Sequence, residues 1–372
     1  MSHNPICSQD ELVPVCYLIF SLDEYNMPYY QELRLLGRSY GLEIFYVCMG
    51  DFNFTDCTVR GEFFDGNETY RKSVPIPRLI NNAIPPSWLS QGFRASLAAA
   101  GACLLRVEIK LSKYQQALKL AAEGGMFEPL AIESVVIGSL SKIDEAFENL
   151  QTDTLFFKPL FGTHGNGAYK LERYEKEGER AYVLYDHDKG NTRADFSNIE
   201  DIAEYFVANT DNKKYVVQKA VNSYTSQGDA FNIRVIIQRG SQGKKEFSFW
   251  GRVGEKGSIV ANLHAGGVAC DAESFLRIEF GEAISESIIA DLTEIALESP
   301  EMVEEISINR NYRWYNLGLD MGIERDDSEK GYKLKMFEIN AFPAHSGDLK
   351  KTHLAIAECE YINYIWRGNT LI

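Results

Sequence analysis

Asp320 stands between Gly318 and Gly322 in an alternating run, Leu317 to Ile323. On a strand, Leu319, Met321 and Ile323 share one face and Asp320 takes the other, with no side chain crowding it at either glycine. Further on, Met336-Phe337-Glu338-Ile339-Asn340 puts Glu338 and Asn340 two residues apart, and so on one face. Two carboxylates and an amide on adjacent strands form a hard oxygen set. Mg2+ takes such a set together with water and a substrate's own phosphates. The charged stretch Arg325 to Gly331 between the two runs suits an exposed turn. A solvated edge hairpin accounts for those charges, but poorly for an acid held between two glycines.

Other residues point to the anion such a metal would accompany. Phe156-Phe157-Lys158-Pro159-Leu160-Phe161-Gly162-Thr163-His164-Gly165-Asn166-Gly167 is a strand that ends at a lysine and enters a glycine-rich loop. Glycines let backbone N–H groups turn toward an anion, and lysine adds a point charge. No Gly-Lys-Ser/Thr follows and no helix opens, so this is neither a Walker A loop nor a dinucleotide fingerprint. It reads as a hairpin closing over phosphates or as an ordinary glycine-rich turn. Arg234 and Arg252 fall on two strands joined by the turn 239–245, and Asn262-Leu263-His264 follows. Arginines on neighbouring strands can clamp a phosphate, although each taken singly is as well explained as a surface cation. Val216-Val217-Gln218-Lys219-Ala220-Val221 is an apolar strand running into a polar segment. Its backbone could read a purine, or it could simply be a strand end.

These residues need a scaffold. Val13 to Phe20, Tyr29 to Tyr40 and Leu42 to Met49 read as strand, helix and strand, a parallel unit with a crossover. Residues 76–88, with Pro77, Pro85 and Pro86, read as a connection, and 91–104 as a helix. Ser112 caps a helix to Glu123, residues 131–137 are β-prone, and 139–150 is helical. Strand pairs follow at 154–158 with 168–172, 231–238 with 246–253, and 317–324 with 332–340. Helices are expected at 198–208 and 284–298, the latter stopped by Ser299-Pro300. The expected fold class is α+β with an α/β N-terminal domain. The expected division is an N-terminal domain 1–110 and a second domain 111–372, itself split near residue 220 into a glycine-loop part and a metal-site part.

The composition narrows the class further. Lys plus Arg is 38 against 53 Asp plus Glu, a net charge of −15, which argues against broad nucleic-acid binding. Seven cysteines at wide spacing include no Cys-x-x-Cys pair, so reduced thiols in a cytosolic chain are expected. Neither a secretory signal nor an apolar run of membrane-spanning length is visible, so no membrane partner is expected. Cys270 has no partner base in view and reads as a buried thiol rather than a nucleophile.

Taken in order, Lys-Pro with a glycine-rich loop, the Val-Gln segment, Asn232-Ile233-Arg234, Arg252, Asn262-Leu263-His264-Ala265-Gly266-Gly267, Asp320 and Glu338-Ile339-Asn340 resemble the ATP-grasp superfamily across about residues 110–345. Within it, Asp229-Ala230-Phe231-Asn232-Ile233-Arg234 and Ile259-Val260-Ala261-Asn262-Leu263-His264 are similar to the YheC/YheD-type group and more loosely to RimK-type ligases. The resemblance implies an ATP-grasp fold of mostly antiparallel sheets enclosing the nucleotide, with ATP and magnesium as cofactors (two ions, manganese as the substitute). By the same resemblance, Lys158 and Lys113 face the nucleotide. Gly162, Thr163, His164, Gly165, Asn166 and Gly167 close over its phosphates, and Gln218, Lys219, Ala220 and Val221 form the adenine hinge. Asp320, Glu338 and Asn340 hold the metal. Arg252 stabilises the transferred phosphoryl group, supported by Arg234 and Asn262. The family's usual Asp-x-Arg is here Asn-x-Arg at Asn232, and Lys219 stands where relatives carry an acid or Gln.

The implied activity is a carboxylate–amine ligase that makes an amide through an acyl phosphate. Its small-molecule substrates would be amino acids or peptides, and a homodimer is the expected assembly. His164 and His264 are candidates to assist amine deprotonation, though a polar loop histidine explains His164 better. The alternatives are a nucleotide-binding structural protein of the spore-coat type and an enzyme that stops at phosphoryl transfer.

Overall fold

A computed structural model describes residues 12–19, 21, 28–66, 68–84, 89–105, 111–137, 142–160, 166–209, 214–306, 316–340 and 352–367. The chain lays down three sheets in succession. The first contains β1 (Val13–Leu18), β2 (Leu42–Val47), β3 (Phe52–Asn53), β4 (Thr58–Phe64), β5 (Thr69–Pro75), β6 (Leu79–Asn82) and β7 (Cys103–Leu105), with helices α1 (Pro28–Ser39) and α2 (Gln91–Ala99). Its order is β3-β4-β2-β1-β6-β7, with β5 paired to β4. The strands β2, β1, β6 and β7 run parallel, as the strand–helix–strand reading requires.

Two sequence expectations change here. The connection 76–88 contains β6, whose four residues are all buried beside β1. Flanking prolines and two asparagines conceal it, although Asn81 and Asn82 are buried. The helix expected over 91–104 ends at Ala99, and the chain re-enters the sheet as β7.

The second sheet joins β8 (Ser134–Ile137), β9 (Thr154–Pro159), β10 (Tyr169–Lys176), β11 (Glu179–Asp186), β12 (Thr192–Phe196) and β13 (Tyr215–Lys219) in the order β12-β11-β10-β9-β13-β8. The third joins β14 (Phe231–Arg239), β15 (Lys245–Val253), β16 (Val268–Asp271), β17 (Asn316–Arg325) and β18 (Tyr332–Asn340) in the order β16-β15-β14-β17-β18. Both are antiparallel throughout.

The first sheet is packed on both faces, whereas the second and third each bury one face against helices and turn the other toward the cleft where Lys158 meets Phe337. Leu155 and Phe157 of β9 pack on α4 (Ile143–Asn149) and α5 (Ile199–Asn209) through Phe147, Ile202 and Phe206. Strand alternation then turns Phe156 and Lys158 to the opposite side. Likewise Ile233, Val235, Leu319 and Met321 pack on α6 (Ala272–Phe280) and α7 (Glu282–Ile306) through Leu276, Ile288 and Leu292. Arg234 and Asp320 are left on the far face. Helix α7 runs through Pro300 rather than stopping at it. Met302 and Val303, both buried in the same core, hold the chain helical past the residue whose missing N–H would otherwise end it.

Sequence order and packing part company twice. Helix α3 (Lys113–Glu123) and the short turn Glu128–Leu130 contribute Leu120 and Leu130 to the core of the third sheet, not the second. Helix α8 (Thr352–Arg367) lays Cys359, Ile362 and Ile365 on the first sheet beside Val15, Tyr17 and Ile44. The carboxylate of Glu358, almost fully buried, accepts hydrogen bonds from the Tyr17 hydroxyl and, at 2.6 Å, from Asn81 Nδ2. None of the described cysteines Cys16, Cys48, Cys57, Cys270 and Cys359 forms a disulfide. Among the described residues no helix is long and apolar enough to cross a membrane.

Removing the Glu358 carboxylate would take from Tyr17 and Asn81, two buried donors on neighbouring strands, the acceptor they share. Glu358→Ala is therefore expected to lower unfolding stability by about 2–4 kcal/mol in urea titration. Glu358→Gln, which keeps one acceptor oxygen, should lose clearly less. Equal losses in the two variants would show that the carboxylate does not organise this contact.

Candidate functional site

The floor of the cleft is the third sheet. The register pairs Arg234 with Asp320 and Asp320 with Glu338 on neighbouring strands, while Gly318 faces Asn340. Arg234 donates from Nε to Asp320 Oδ1 and from Nη2 to Oδ2 at 3.0 Å, a two-pronged grip on one carboxylate. Arg252 reaches the same Oδ1 with Nη2 at 2.6 Å. Its Nε donates to Asn232 Oδ1 at 2.7 Å, and Asn232 Nδ2 in turn donates to the Ala261 carbonyl at 3.5 Å. Asn340 Nδ2 lies 3.4 Å from Asp320 Oδ2. Asn232, where the family pattern has an acid, thus serves as the acceptor that aims Arg252.

Glu338 reaches this group through an irregularity in the hairpin. Glu338 pairs with Asp320 but Met336 with Met321, so Phe337 is an extra residue on its strand. The Phe337 ring lies over Gly322, where an added Cβ would come within 2.5 Å of its Cζ. Lys158 Nζ, descending from the second sheet, sits 5.1 Å from the Phe337 ring centre and 5.3 Å from that of Phe156. Lys113 arrives by a different route. Ser112 caps α3 in a reciprocal box with Gln115, and the next turn's Gln116 Oε1 accepts the Ile339 N–H at 2.9 Å. This fixes the first helical residue, Lys113, beside β18.

The electrostatics follow from burial and these pairings. Burial alone would raise the Asp320 carboxyl, but Arg234 and Arg252 outweigh it and hold the group well below the usual carboxylate range. Burial raises Glu338; Lys113 and Lys158 draw it down while Asp320 pushes it up. Burial, reinforced by Lys113, pushes Lys158 down to about 8, against the pull of Glu338 and Asp320. Burial also lowers Arg252, opposed by Asp320. Asp320, Glu338 and Asn340 are the residues that could hold a magnesium ion sharing its shell with phosphates; both Asp320 oxygens are here engaged by the arginines, and Asn340 turns its Nδ2 toward Asp320.

The roof and its edges are placed less directly. Gln218 turns into the second sheet, where its Nε2 donates to Ser134 Oγ at 2.9 Å. Lys219 and Ala220 donate their N–H groups to the carbonyls of Glu133 and Thr154, both at 3.0 Å, and Val221 follows where the strand ends. The Gln218 side chain and the Lys219 and Ala220 N–H groups are thus all engaged within the protein. Asn262 shapes its turn with its carbonyl, which accepts from Ala265 and Gly267 N–H. Gly162, Thr163, His164 and Gly165 lie outside the described residues, as does the His264 side chain. Asn166 and Gly167 are described. Gly167 has φ +73° and packs against Pro159 and Tyr215, where a Cβ would meet Pro159 Cγ at 2.9 Å.

Sequence reasoning passed over Phe337, whose bulge depends on strand register. It also missed Asp188, whose carboxylate accepts the Gly167 N–H at 2.9 Å through both oxygens. The cluster Asp186-His187-Asp188 in a turn was the available signal.

Three antiparallel and parallel sheets with this residue set facing a cleft define an ATP-grasp architecture. Residues 111–361 match the model of the YheC/D-like ATP-grasp family, and the chain belongs to that family. It is 22% identical over 326 residues to the endospore coat-associated protein YheD of Bacillus subtilis (strain 168), spanning 86% of this chain and 68% of that protein. In structure it resembles D-cycloserine synthetase DcsG, with a TM-score of 0.53 at 13% identity, covering 94% of this chain and 98% of the other.

The lowered folded-state value of Asp320 has a consequence in acid. Its contribution to stability is complete above the usual aspartate pKa, about 4, and is lost as pH falls toward the folded value. Wild type should therefore lose stability steeply below about pH 4. Asp320→Asn should be less stable at pH 7, because Arg234 and Arg252 lose their counter-charge, and its acid slope should be shallower. Urea titrations at pH 7 and pH 3 read this difference, and parallel slopes would contradict it.

Proposed function

We propose that this chain is an ATP-dependent carboxylate–amine ligase that forms an amide on an amino acid or peptide through an acyl phosphate. The observation that carries the reading is the convergence of Asp320, Glu338, Asn340, Arg234 and Arg252 on the floor, with Lys158 over the ring of Phe337 and within the electrostatic reach of Glu338 and Asp320. Lys158 and Lys113 would neutralise the nucleotide's phosphates. The carbonyls of Lys219 and Ala220 and the backbone of Val221 would take the adenine edge, and Phe337 and Phe156 would supply apolar surface at the mouth. Asp320, Glu338 and Asn340 would hold magnesium, which when bound draws charge from the phosphate oxygens.

Phosphoryl transfer demands alignment and neutralisation of charge more than proton transfer by the protein. The substrate carboxylate attacks the γ-phosphorus, ADP leaves, and the mixed anhydride forms. An amine then attacks the acyl carbon and phosphate departs. Arg252, aimed by Asn232, is positioned to stabilise charge on the transferred group in both steps. Arg234 holds Asp320 in place as that charge shifts.

The name of the Bacillus relative favours a second reading, in which the chain binds nucleotide within a structural assembly and does not turn over. The two readings separate on one assay. ADP release with magnesium should depend on a pool of amino acids and short peptides, and Glu338→Ala should abolish it. Mass spectrometry of the same tube should show an amide. Nucleotide binding without substrate-dependent ADP release would favour the structural reading, and an acyl phosphate without amide an enzyme that stops at phosphoryl transfer.

Lys158 gives a pH signature. It is a cation below about 8 and loses its charge above. Nucleotide affinity should therefore decline as pH rises through about 8. Lys158→Arg, charged at every accessible pH, should flatten that decline. An unchanged profile in Lys158→Arg would remove Lys158 from the phosphate contact.

A further inference from the structure

The turn between β11 and β12 touches both sides of the cleft. On the roof side, His187 N–H donates to the Ala168 carbonyl at 3.2 Å, and the Asp188 carboxylate accepts the Gly167 N–H with both oxygens at 2.9 Å. Asp188 is itself steadied from below. Its N–H donates to Oδ1 of the buried Asp186, whose Oδ2 accepts the Tyr205 hydroxyl at 2.6 Å. On the floor side, Asn191 Oδ1 accepts the Ile259 N–H at 3.3 Å and pairs with His187 Nδ1 at 3.1 Å. Ile259 lies in the loop after β15. Two residues on, the Ala261 carbonyl accepts from Asn232, which aims Arg252 at Asp320. One turn thus connects the end of the glycine-rich segment to the arginine that faces the metal ligands.

We propose that Asp188 and Asn191 are positioning residues of the nucleotide site: Asp188 sets where the glycine-rich segment ends, and Asn191 ties the roof sheet to the loop that carries Arg252's support. The proposal rests on the nucleotide-binding reading given above. It goes further by assigning roof-to-floor registration to a turn that touches no reacting atom. Two surfaces that grip one polyanion must keep their separation while charge moves along it. A hydrogen bond from the floor's main chain to a side chain of the roof fixes that separation without closing the mouth of the cleft. Asn191 has φ +57°, a conformation that asparagine, aspartate and glycine tolerate. Its acceptor can therefore be removed or kept without straining the turn.

The experiment compares wild type, Asn191→Gly and Asn191→Asp, using mant-ATP with magnesium as the probe. The dissociation rate, the melting temperature and amide exchange at Ile259 and Gly167 in the nucleotide-free protein are read together. Asn191→Gly is expected to release mant-ATP about five- to tenfold faster and to lose protection at Ile259, with an unchanged melting temperature. Asn191→Asp, which keeps an oxygen for the Ile259 N–H, should stay within about twofold of wild type. Asp188→Leu should speed exchange at Gly167 and leave Ile259 protected. If wild type binds mant-ATP and Asn191→Gly releases it equally slowly, the nucleotide reading stands and the positioning role falls. The role falls equally if Asn191→Asp is as impaired as Asn191→Gly. If wild type binds no mant-ATP, the nucleotide reading falls and takes the proposal with it.

Discussion

One buried carboxylate, that of Asp320, sits between two guanidinium groups, and much of the third sheet is arranged to keep it there. A carboxylate in this setting is costly unless paired and hydrogen-bonded. The pairing needs Arg234 directly across on β14, Arg252 one strand further on, and Asn232 to hold Arg252 from the far side. The apolar alternation of β14 and β17 is what turns these polar residues away from α7. A slip of one residue in β17 would drive Asp320 into the helix-packed core and expose Leu319 or Met321, and a slip in β14 would do the same to Arg234, exposing Ile233 or Val235. Register, core and chemistry are therefore a single constraint.

The same logic reaches the residues above the floor. Glu338 is brought opposite Asp320 at the cost of an extra residue, Phe337, and that ring is accommodated because Gly322 has no side chain. Lys158 is then held near both carboxylates and both aromatic rings. Its lowered proton affinity measures how far it is removed from water, more than any lack of partners. Four cations of the cleft, Lys113, Lys158, Arg234 and Arg252, face two carboxylates, Asp320 and Glu338, before any ligand arrives. An incoming polyphosphate would meet that excess of positive charge, and its metal would share the two carboxylates.

Much of this was legible in the chain. The glycines around Asp320, the spacing of Glu338 and Asn340, the Ser112 cap that sets Lys113, and the three antiparallel pairs all follow from local pattern. What was hidden depended on distant partners. Arg234 and Asp320 are 86 residues apart, and no local rule says which strands become neighbours. Strand β6 is four residues between prolines, too short for periodicity to speak. Helix α7 passes Pro300 because Met302 and Val303 are buried, a tertiary effect that overrides a local stop signal. Asn232 departs from the family's acid, yet its amide oxygen performs an acceptor's task that the residue type alone does not announce.

Helix α8 fills the face of the first sheet, with Glu358 locked to Tyr17 and Asn81, although the strands it covers were made near the other end of the chain. During synthesis α1, through Leu33, is among the described residues the only helix of this core cluster on that face until residues 352–367 emerge. At about 5–20 residues per second, the ribosome leaves Val15, Tyr17 and Ile44 waiting for roughly ten seconds to a minute after β7 has been made. The first sheet is thus translated before the other two and finished after them, once α8 has been made. Its nascent form presents an apolar surface of the kind that chaperones shield.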